Sequence, residues 1–405
     1  MRIAVFHNLT SGGAKRSLHE LVRHINLQHE LIVHTYASAN HDFGDIRPYV
    51  RQHHIHPFSP GRLYPSPFGR LNPIVRLRDL NRLRTFNQTL ADFIQRDKPD
   101  VIFVQPCQFE NCPSILQHLE KIPTVYFCHE PIRVLYEEVP PRPYEHKISF
   151  LRKTLDRIDP FPQRYRNNLK ESDFANIQKA SMVLVNSVHT QKNVQNIYRL
   201  SAHVNYLGVD TNLFKPLKME RQPFVLSVGS LTPLKGFDFI IRALGRIPAS
   251  QRLRFVISSN FSNPPEFKYL KQLALDCAVE IDFLNGVSDQ KLVELYNTAT
   301  LTVYAPYREP FGLVALESMA CGTAVLGIRE GGLLETIEDG VNGRLVERNE
   351  DEFSRVLSEM ISEPKMLAEM GKAANRIAFE RWGWKTAAHR LITNFELAIK
   401  GFTQV

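Results

Sequence analysis

Residues 301–328 read LTVYAPYREPFGLVALESMACGTAVLGI. Two short apolar runs, LTVYAPY at 301–307 and AVLGI at 324–328, enclose a longer one, FGLVALESMACG at 311–322. The outer runs are near-continuous rather than alternating, as strands buried on both faces are. The middle run reads as a helix. Strand, helix and strand in that order form the repeating unit of a parallel sheet with helical crossovers.

The same alternation extends in both directions. Upstream lie the strands PFVLSVGS (223–230), RFVISS (254–259) and IDFLNG (281–286). Between them come the helices GFDFIIRALGRI (236–247), FKYLKQLALDCA (267–278) and DQKLVELYNTA (289–299). The first half repeats the theme. MRIAVFHNL (1–9) is followed by Ser11-Gly12-Gly13 and by AKRSLHELVRHI (14–25), with Leu18, Leu21, Val22 and Ile25 at helical spacing. ELIVHTYA, VIFVQP, TVYFCHE and MVLVNS are further buried-strand runs. The fold class is therefore α/β, with two doubly wound Rossmann-like domains facing a cleft. The expected boundaries are 1–215 for the first domain and 216–385 for the second. A helix over 386–405 is expected to pack back on the first domain. The link falls near Asn212–Arg221, after a strand VNYLGV (204–209). Residues 51–69 are Pro- and His-rich and read as irregular. They lead into a helix after Pro73 that carries Leu77, Leu80, Leu83, Phe86 and Leu90.

The 405 residues are 43% hydrophobic and 23% charged, which excludes a disordered chain. No apolar run approaches the ~20 residues that span a bilayer. The start is too quickly polar for a signal peptide. Five scattered cysteines form neither a disulfide framework nor a metal-ligand pattern, so a cytoplasmic location is expected. The net charge is +8. It concentrates in Arg51–Arg84, with seven basic residues against Asp79, and in Arg142–Lys170, with eight against three acids. Such surfaces suit an anionic membrane or an acidic substrate, or are merely solvated. The interleaving of aromatic and basic residues found in nucleic-acid modules is missing, so no nucleic-acid partner is expected.

In open α/β sheets ligands sit beyond the carboxyl ends of the strands, so the residues after each strand carry the chemistry. Gly312 opens a helix and lets a ligand approach the backbone closely. The amides of Phe311, Gly312, Leu313 and Val314 point a favourable dipole at a phosphate. Glu317 can accept two hydrogen bonds from a vicinal diol such as ribose. Glu309, on the strand-end loop, can reach a reacting sugar. Two glutamates eight residues apart also occur as ordinary surface residues. Lys235, before Gly236, can neutralise a diphosphate, or mark a surface turn. Gly12 and Gly13 end the first strand, either for close ligand approach or as a plain tight turn. No Asp-x-Asp occurs and the cysteines show no ligand spacing, so no metal is expected.

EPFGLVALESMACGTAVLG resembles the EPFGxxxxEAMAxGxPV signature of family-4 glycosyltransferases, retaining enzymes of GT-B fold that use nucleotide sugars. SVGSLTPLKGFDFIIRAL, LNGVSDQKLVELYNTATLTVYAP and GGLLETIEDGVNGRLV are similar to further blocks of that family, in order. Gly12-Gly13-Ala14, VNSVHT and NYLGVDTNLFKP also fit. The resemblance implies a UDP- or GDP-linked sugar donor and no cofactor. It implies catalytic roles for Glu309, His129 and Lys235. It implies donor contacts from Gly12, Gly13, Ser230, Lys235, Phe311, Gly312, Leu313, Val314 and Glu317. Arg133 and Tyr136 fall on the acceptor side. Four positions depart from the pattern. Ser230 replaces an arginine of the diphosphate clamp, which leaves Lys235 a larger share. Tyr307 replaces a small residue, Ser318 an alanine and Ala324 a proline. The implied acceptor is a saccharide or a lipid-linked intermediate of polysaccharide or glycolipid synthesis, met peripherally at the cytoplasmic membrane face. A sugar-nucleotide epimerase or hydrolase, or a non-catalytic partner subunit, would share the scaffold.

Overall fold

A computed structural model describes residues 1–65, 68–146, 159–261 and 263–404. The described residues form two compact units. The first comprises Met1–Glu138, Ile148–Tyr206 and Ala387–Val405; the second comprises Val139–Lys147 and Leu207–Thr386. The division thus falls at 206/207 rather than 215/216, and the short segment Val139–Lys147 belongs with the second unit.

The first unit has a seven-stranded sheet in the order β3-β2-β1-β4-β5-β6-β7. Its strands are β1 (Arg2–Asn8), β2 (Glu30–Tyr36), β3 (Gln52–His56), β4 (Val101–Cys107), β5 (Thr124–Cys128), β6 (Met182–Val185) and β7 (His203–Val204). Every pairing is parallel. The helices are α1 (Gly13–Ile25), α2 (Asn72–Arg96), α3 (Arg133–Tyr136), α4 (Pro160–Ile177) and α5 (Val188–Tyr198). Burial on both faces explains the unbroken apolar runs. Ala4, Phe6, Val104 and Tyr126 pack with Leu83, Leu90 and Ile94 of α2. Leu80 and Leu83 are therefore core residues, and the arginines of α2 flank a buried stripe.

Two elements differ from the sequence reading. Gln52–His56 is a strand, not an irregular segment. Its period of two is carried by histidines: His54 and His56 stack on His34 at 5.1 and 5.5 Å. The ring edge of Phe93 packs against all three. The expected strand VNYLGV is reduced to His203–Val204. Beyond it the chain leaves the sheet, and the Val209 N–H bonds to Trp382 O at 2.7 Å.

The second unit has a six-stranded sheet in the order β10-β9-β8-β11-β12-β13. The strands are β8 (Gln222–Val228), β9 (Arg254–Ser259), β10 (Ile281–Asn285), β11 (Ala299–Tyr304), β12 (Val325–Ile328) and β13 (Gly343–Val346). All pairings are again parallel. The helices are α6 (Phe237–Gly245), α7 (Pro264–Asp276), α8 (Asp289–Thr298), α9 (Leu313–Ala320), α10 (Leu333–Thr336), α11 (Glu350–Ser362) and α12 (Pro364–Arg381). Phe237, Ile240, Leu244, Phe255, Leu301, Leu326, Phe353 and Leu357 form its core. The last helix, α13 (Trp384–Phe402), lies mostly in the first unit. There Phe395 meets Phe103 edge-on at 5.2 Å.

In both sheets the first strand in chain order sits beside the fourth, so the strand order reverses there. That switch point lies between β1 and β4 in the first unit, and between β8 and β11 in the second. The loops leaving those strands diverge to opposite sides and open a crevice at their carboxyl ends.

Candidate functional site

The loops after β8 and β11 bring together the two residues on which the sequence reading depends most. The Lys235 ammonium donates to Glu309 Oε2 at 2.9 Å, with both side chains largely but not fully buried. The pair sits at the switch point of the second sheet. How each loop is held follows from its sequence.

Lys235 ends a single 3₁₀ turn, Pro233–Lys235. Its aliphatic stem lies along Gly229, where an added Cβ would stand 3.3 Å from Lys235 Cγ and Cδ. Gly236 follows at φ 65°. A Cβ there would approach Ala305 O to 2.0 Å, so only glycine lets the turn lie against the end of β11. The Tyr307 N–H donates to Leu234 O at 2.8 Å and ties the two loops together.

The Glu309 loop is fastened from its other side. The Arg348 guanidinium donates to Ala305 O at 3.0 Å and Pro306 O at 2.7 Å, and bridges both Glu330 oxygens at 2.7 and 2.9 Å. It also covers the Tyr307 ring at 3.8 Å, which gives a role to the bulky residue at a position expected to be small. The Gly332 N–H donates to Glu309 O at 2.7 Å. A Cβ at Gly331 would stand 2.4 Å from Glu309 O.

Gly312, at φ 99°, starts α9. The first backbone bond there runs from the Ala315 N–H to Gly312 O at 3.0 Å, so the Leu313 and Val314 amides precede the helical ladder. Both residues are partly exposed. The Phe311 side chain is buried, edge-on to Trp382 at 5.6 Å. Glu317 is 7% exposed, and its Oε2 accepts from the Tyr296 hydroxyl at 3.0 Å. Burial, and then the Glu317 carboxylate, hold the Tyr296 phenol well above its ordinary range, so it remains a proton donor. Ser318 costs no unsatisfied hydroxyl, because its Oγ reaches Thr302 Oγ1 at 2.7 Å. Ser230 is half-buried at the end of β8.

The first unit holds the remaining expected residues. Gly12 (φ 129°) precedes α1, and a Cβ there would meet nothing within 4 Å. Gly13 is the first residue of that helix. His129 follows β5 and is 8% exposed. Its Nε2 pairs with Gln105 Oε1 at 3.0 Å, and its ring stacks on Phe127 at 4.6 Å. Burial pushes its pKa down to about 3, so it is neutral at physiological pH and can hydrogen-bond but not supply a positive charge. Arg133 Nε donates to Glu137 at 3.2 Å. The Tyr136 hydroxyl donates to Asp173 Oδ2 at 3.2 Å. Each therefore has a partner within its own unit. Among the described residues no group of three or more His, Cys, Asp or Glu could hold a metal ion. No helix among them is long and apolar enough to cross a membrane.

Sequence reasoning missed Arg348, Glu330 and Tyr296. Tyr296 was within reach, since it lies in the LYNTA block already singled out. Arg348 follows the end of β13, a strand the sequence reading did not separate from its motif.

The sequence model described as Glycosyltransferase Family 4 matches residues 11–213, and that described as Glycosyl transferases group 1 matches residues 208–377. Among curated proteins, the chain is 30% identical over 201 residues to the MMP alpha-(1->4)-mannosyltransferase of Mycolicibacterium hassiacum, covering 49% of this chain and 48% of that protein. It is 33% identical over 188 residues to a D-inositol 3-phosphate glycosyltransferase of Rhodococcus opacus, covering 44% of this chain and 42% of the relative. The matches thus span half the length of these relatives or less. Among solved structures, the sucrose-phosphate synthase of Thermosynechococcus elongatus superposes with a TM-score of 0.74 at 17% identity, over 98% of this chain and 99% of the other. Anabaena HepE, solved with UDP and glucose, gives 0.68 at 18% identity, over 98% and 99%. At those identities the likeness establishes the GT-B fold.

Proposed function

Because this chain belongs to glycosyltransferase family 4, we propose that it moves a sugar from a nucleoside-diphosphate donor to a hydroxyl acceptor, with retention and without a metal. The observation that carries the reading is the Lys235–Glu309 pair at the switch point, beside the first amides of α9. Breaking a glycosyl-phosphate bond leaves negative charge on the diphosphate while the sugar acquires oxocarbenium character. A lysine and helix amides fixed in advance stabilise that leaving group without reorganising. Glu309, already neutralised by Lys235, positions the sugar or meets the cationic centre. Glu317, braced by Tyr296, takes the ribose hydroxyls. With serine at 230, Lys235 is the principal cation of the clamp.

Gly12, Gly13 and His129 are further donor contacts in this reading, His129 as a neutral hydrogen-bonding group. Arg133 and Tyr136 stand on the acceptor side. The acceptor is a saccharide or lipid-linked intermediate of cell-surface polysaccharide or glycolipid synthesis. Anionic membrane contact then comes not from the core face of α2 but from the residues before it. Leu63, Tyr64, Phe68 and Leu71 are exposed there beside Arg62 and Arg70. HepE, solved with UDP and glucose, supports a UDP-linked donor, with GDP-linked sugars the alternative.

A thermal-shift screen of UDP-, GDP- and ADP-sugars tests the donor reading. One cognate ligand at about 100 times its Kd should stabilise the protein by about 2.7 kcal/mol. No response to any of them would refute it. Product analysis with and without acceptor then separates transfer from hydrolysis or epimerisation, and an inert but donor-binding chain would be a partner subunit. Flotation with anionic vesicles at low salt tests the membrane contact.

A further inference from the structure

The segment Val139–Lys147 belongs to the second unit, although the chain on either side of it belongs to the first. It carries Arg142, which is 2% exposed and lies between two carboxylates, Asp238 at 3% and Glu266 at 0%. Arg142 Nε donates to both Glu266 oxygens at 3.1 and 3.0 Å. Its Nη1 and Nη2 donate to Asp238 Oδ2 and Oδ1 at 3.2 and 3.0 Å. Its Nη2 also donates to Pro233 O at 3.2 Å. The Tyr144 hydroxyl bonds Glu266 Oε2 at 2.7 Å, and the guanidinium lies 5.3 Å from the Tyr269 ring centre.

These partners bracket Lys235. Pro233 begins the 3₁₀ turn that Lys235 ends, and Asp238 lies in the first turn of α6 just beyond it. Glu266 anchors the other end of the guanidinium in the first turn of α7. The charge of Arg142 is spent locally. Arg242 also donates to Asp238 Oδ2 at 2.8 Å and to Glu350 Oε1 at 2.6 Å, so these charges are paired within the cluster. What Arg142 supplies is a rigid planar fork with enough donors to hold a carbonyl and two carboxylates at once, which a lysine cannot do.

We infer that Arg142, delivered by the Val139–Lys147 strap, is a positioning residue for Lys235. It fixes the turn from which the ammonium meets Glu309 and, on the donor reading above, the diphosphate.

The test uses the full chain with its lysines reductively methylated with ¹³C, a modification that keeps their charge. The Lys235 methyl signal is assigned by its loss in Lys235→Arg. In wild type, Glu309→Gln should shift it, since the two groups are in contact. Arg142→Met combined with Glu266→Leu removes a buried charge pair together, a replacement that folded proteins commonly tolerate. Asp238 keeps Arg242 as its partner. In that variant the Lys235 signal should move, and its response to Glu309→Gln should largely disappear. Affinity for whichever of UDP, GDP and ADP the wild type binds should fall about tenfold. An unchanged signal that still responds fully to Glu309→Gln would overturn the inference, whatever happens to stability. The signal needs no donor. A wild type that binds none of the three nucleotides would therefore count against the donor reading alone, while the methyl shift still decides the role of Arg142.

Discussion

Gly236→Ala is the substitution whose cost can be worked most directly from the geometry. Gly236 has φ 65°, and so does Gly286 in the same unit. An alanine in that left-handed conformation costs about 1–2 kcal/mol at either position. The surroundings differ. A Cβ at Gly286 would meet nothing within 4 Å, whereas one at Gly236 would stand 2.0 Å from Ala305 O. That oxygen is backbone at the end of β11 and cannot rotate away. Overpacking of this kind adds about 1–3 kcal/mol. Gly286→Ala should therefore cost about 1–2 kcal/mol and Gly236→Ala about 2–5 kcal/mol. For a unit of this size, each kcal/mol moves the midpoint by roughly 2–4 °C. Thermal and urea unfolding of both variants, followed by circular dichroism, give the difference. Equal costs would refute the claim that the Lys235 turn is pressed against β11, and with it the geometric basis for pairing Lys235 with Glu309.

Three further outcomes follow from the same structure. Glu317→Gln should weaken binding of the cognate nucleoside diphosphate by about 1.5–3 kcal/mol in calorimetry, as for a lost charged hydrogen bond, and unchanged affinity would remove it from the ribose site. Burial raises the Glu110 carboxyl from 4.5 to about 7, so the folded state holds its proton more tightly than the unfolded. Its stabilising contribution is complete below pH 4.5 and is lost as pH rises through about 7, and Glu110→Gln should flatten that part of the midpoint-against-pH curve. Transferase activity should survive excess EDTA, whereas complete loss restored by magnesium or manganese would contradict a metal-free diphosphate clamp.

The strands were legible because burial on both faces forces continuous apolar runs, as in MRIAVFHNL and LTVYAPY. Gln52–His56 was not, because its alternation rests on histidines, which satisfy one another and Phe93 instead of an apolar layer. The loops carrying Lys235 and Glu309 could be placed from the strands before them. That the two side chains meet could not, since it depends on Gly236, Tyr307 and Arg348 acting across loops far apart in sequence. Arg142 carried no local signal, because its partners are nearly a hundred residues away or more and become neighbours only when the strap joins the second unit. The leucines of α2 were readable as an apolar stripe, but only packing decides that Leu80 and Leu83 face the core.

In the proposed function the carboxylate of Glu309 acts at the sugar while the rest of the site holds the nucleotide. Single-turnover transfer and calorimetric nucleotide affinity, measured together on Glu309→Gln, test it most directly. Turnover should fall by more than about tenfold with nucleotide affinity nearly unchanged, as for an interaction made chiefly in the transition state. Near-normal turnover, or a loss confined to nucleotide affinity, would contradict it.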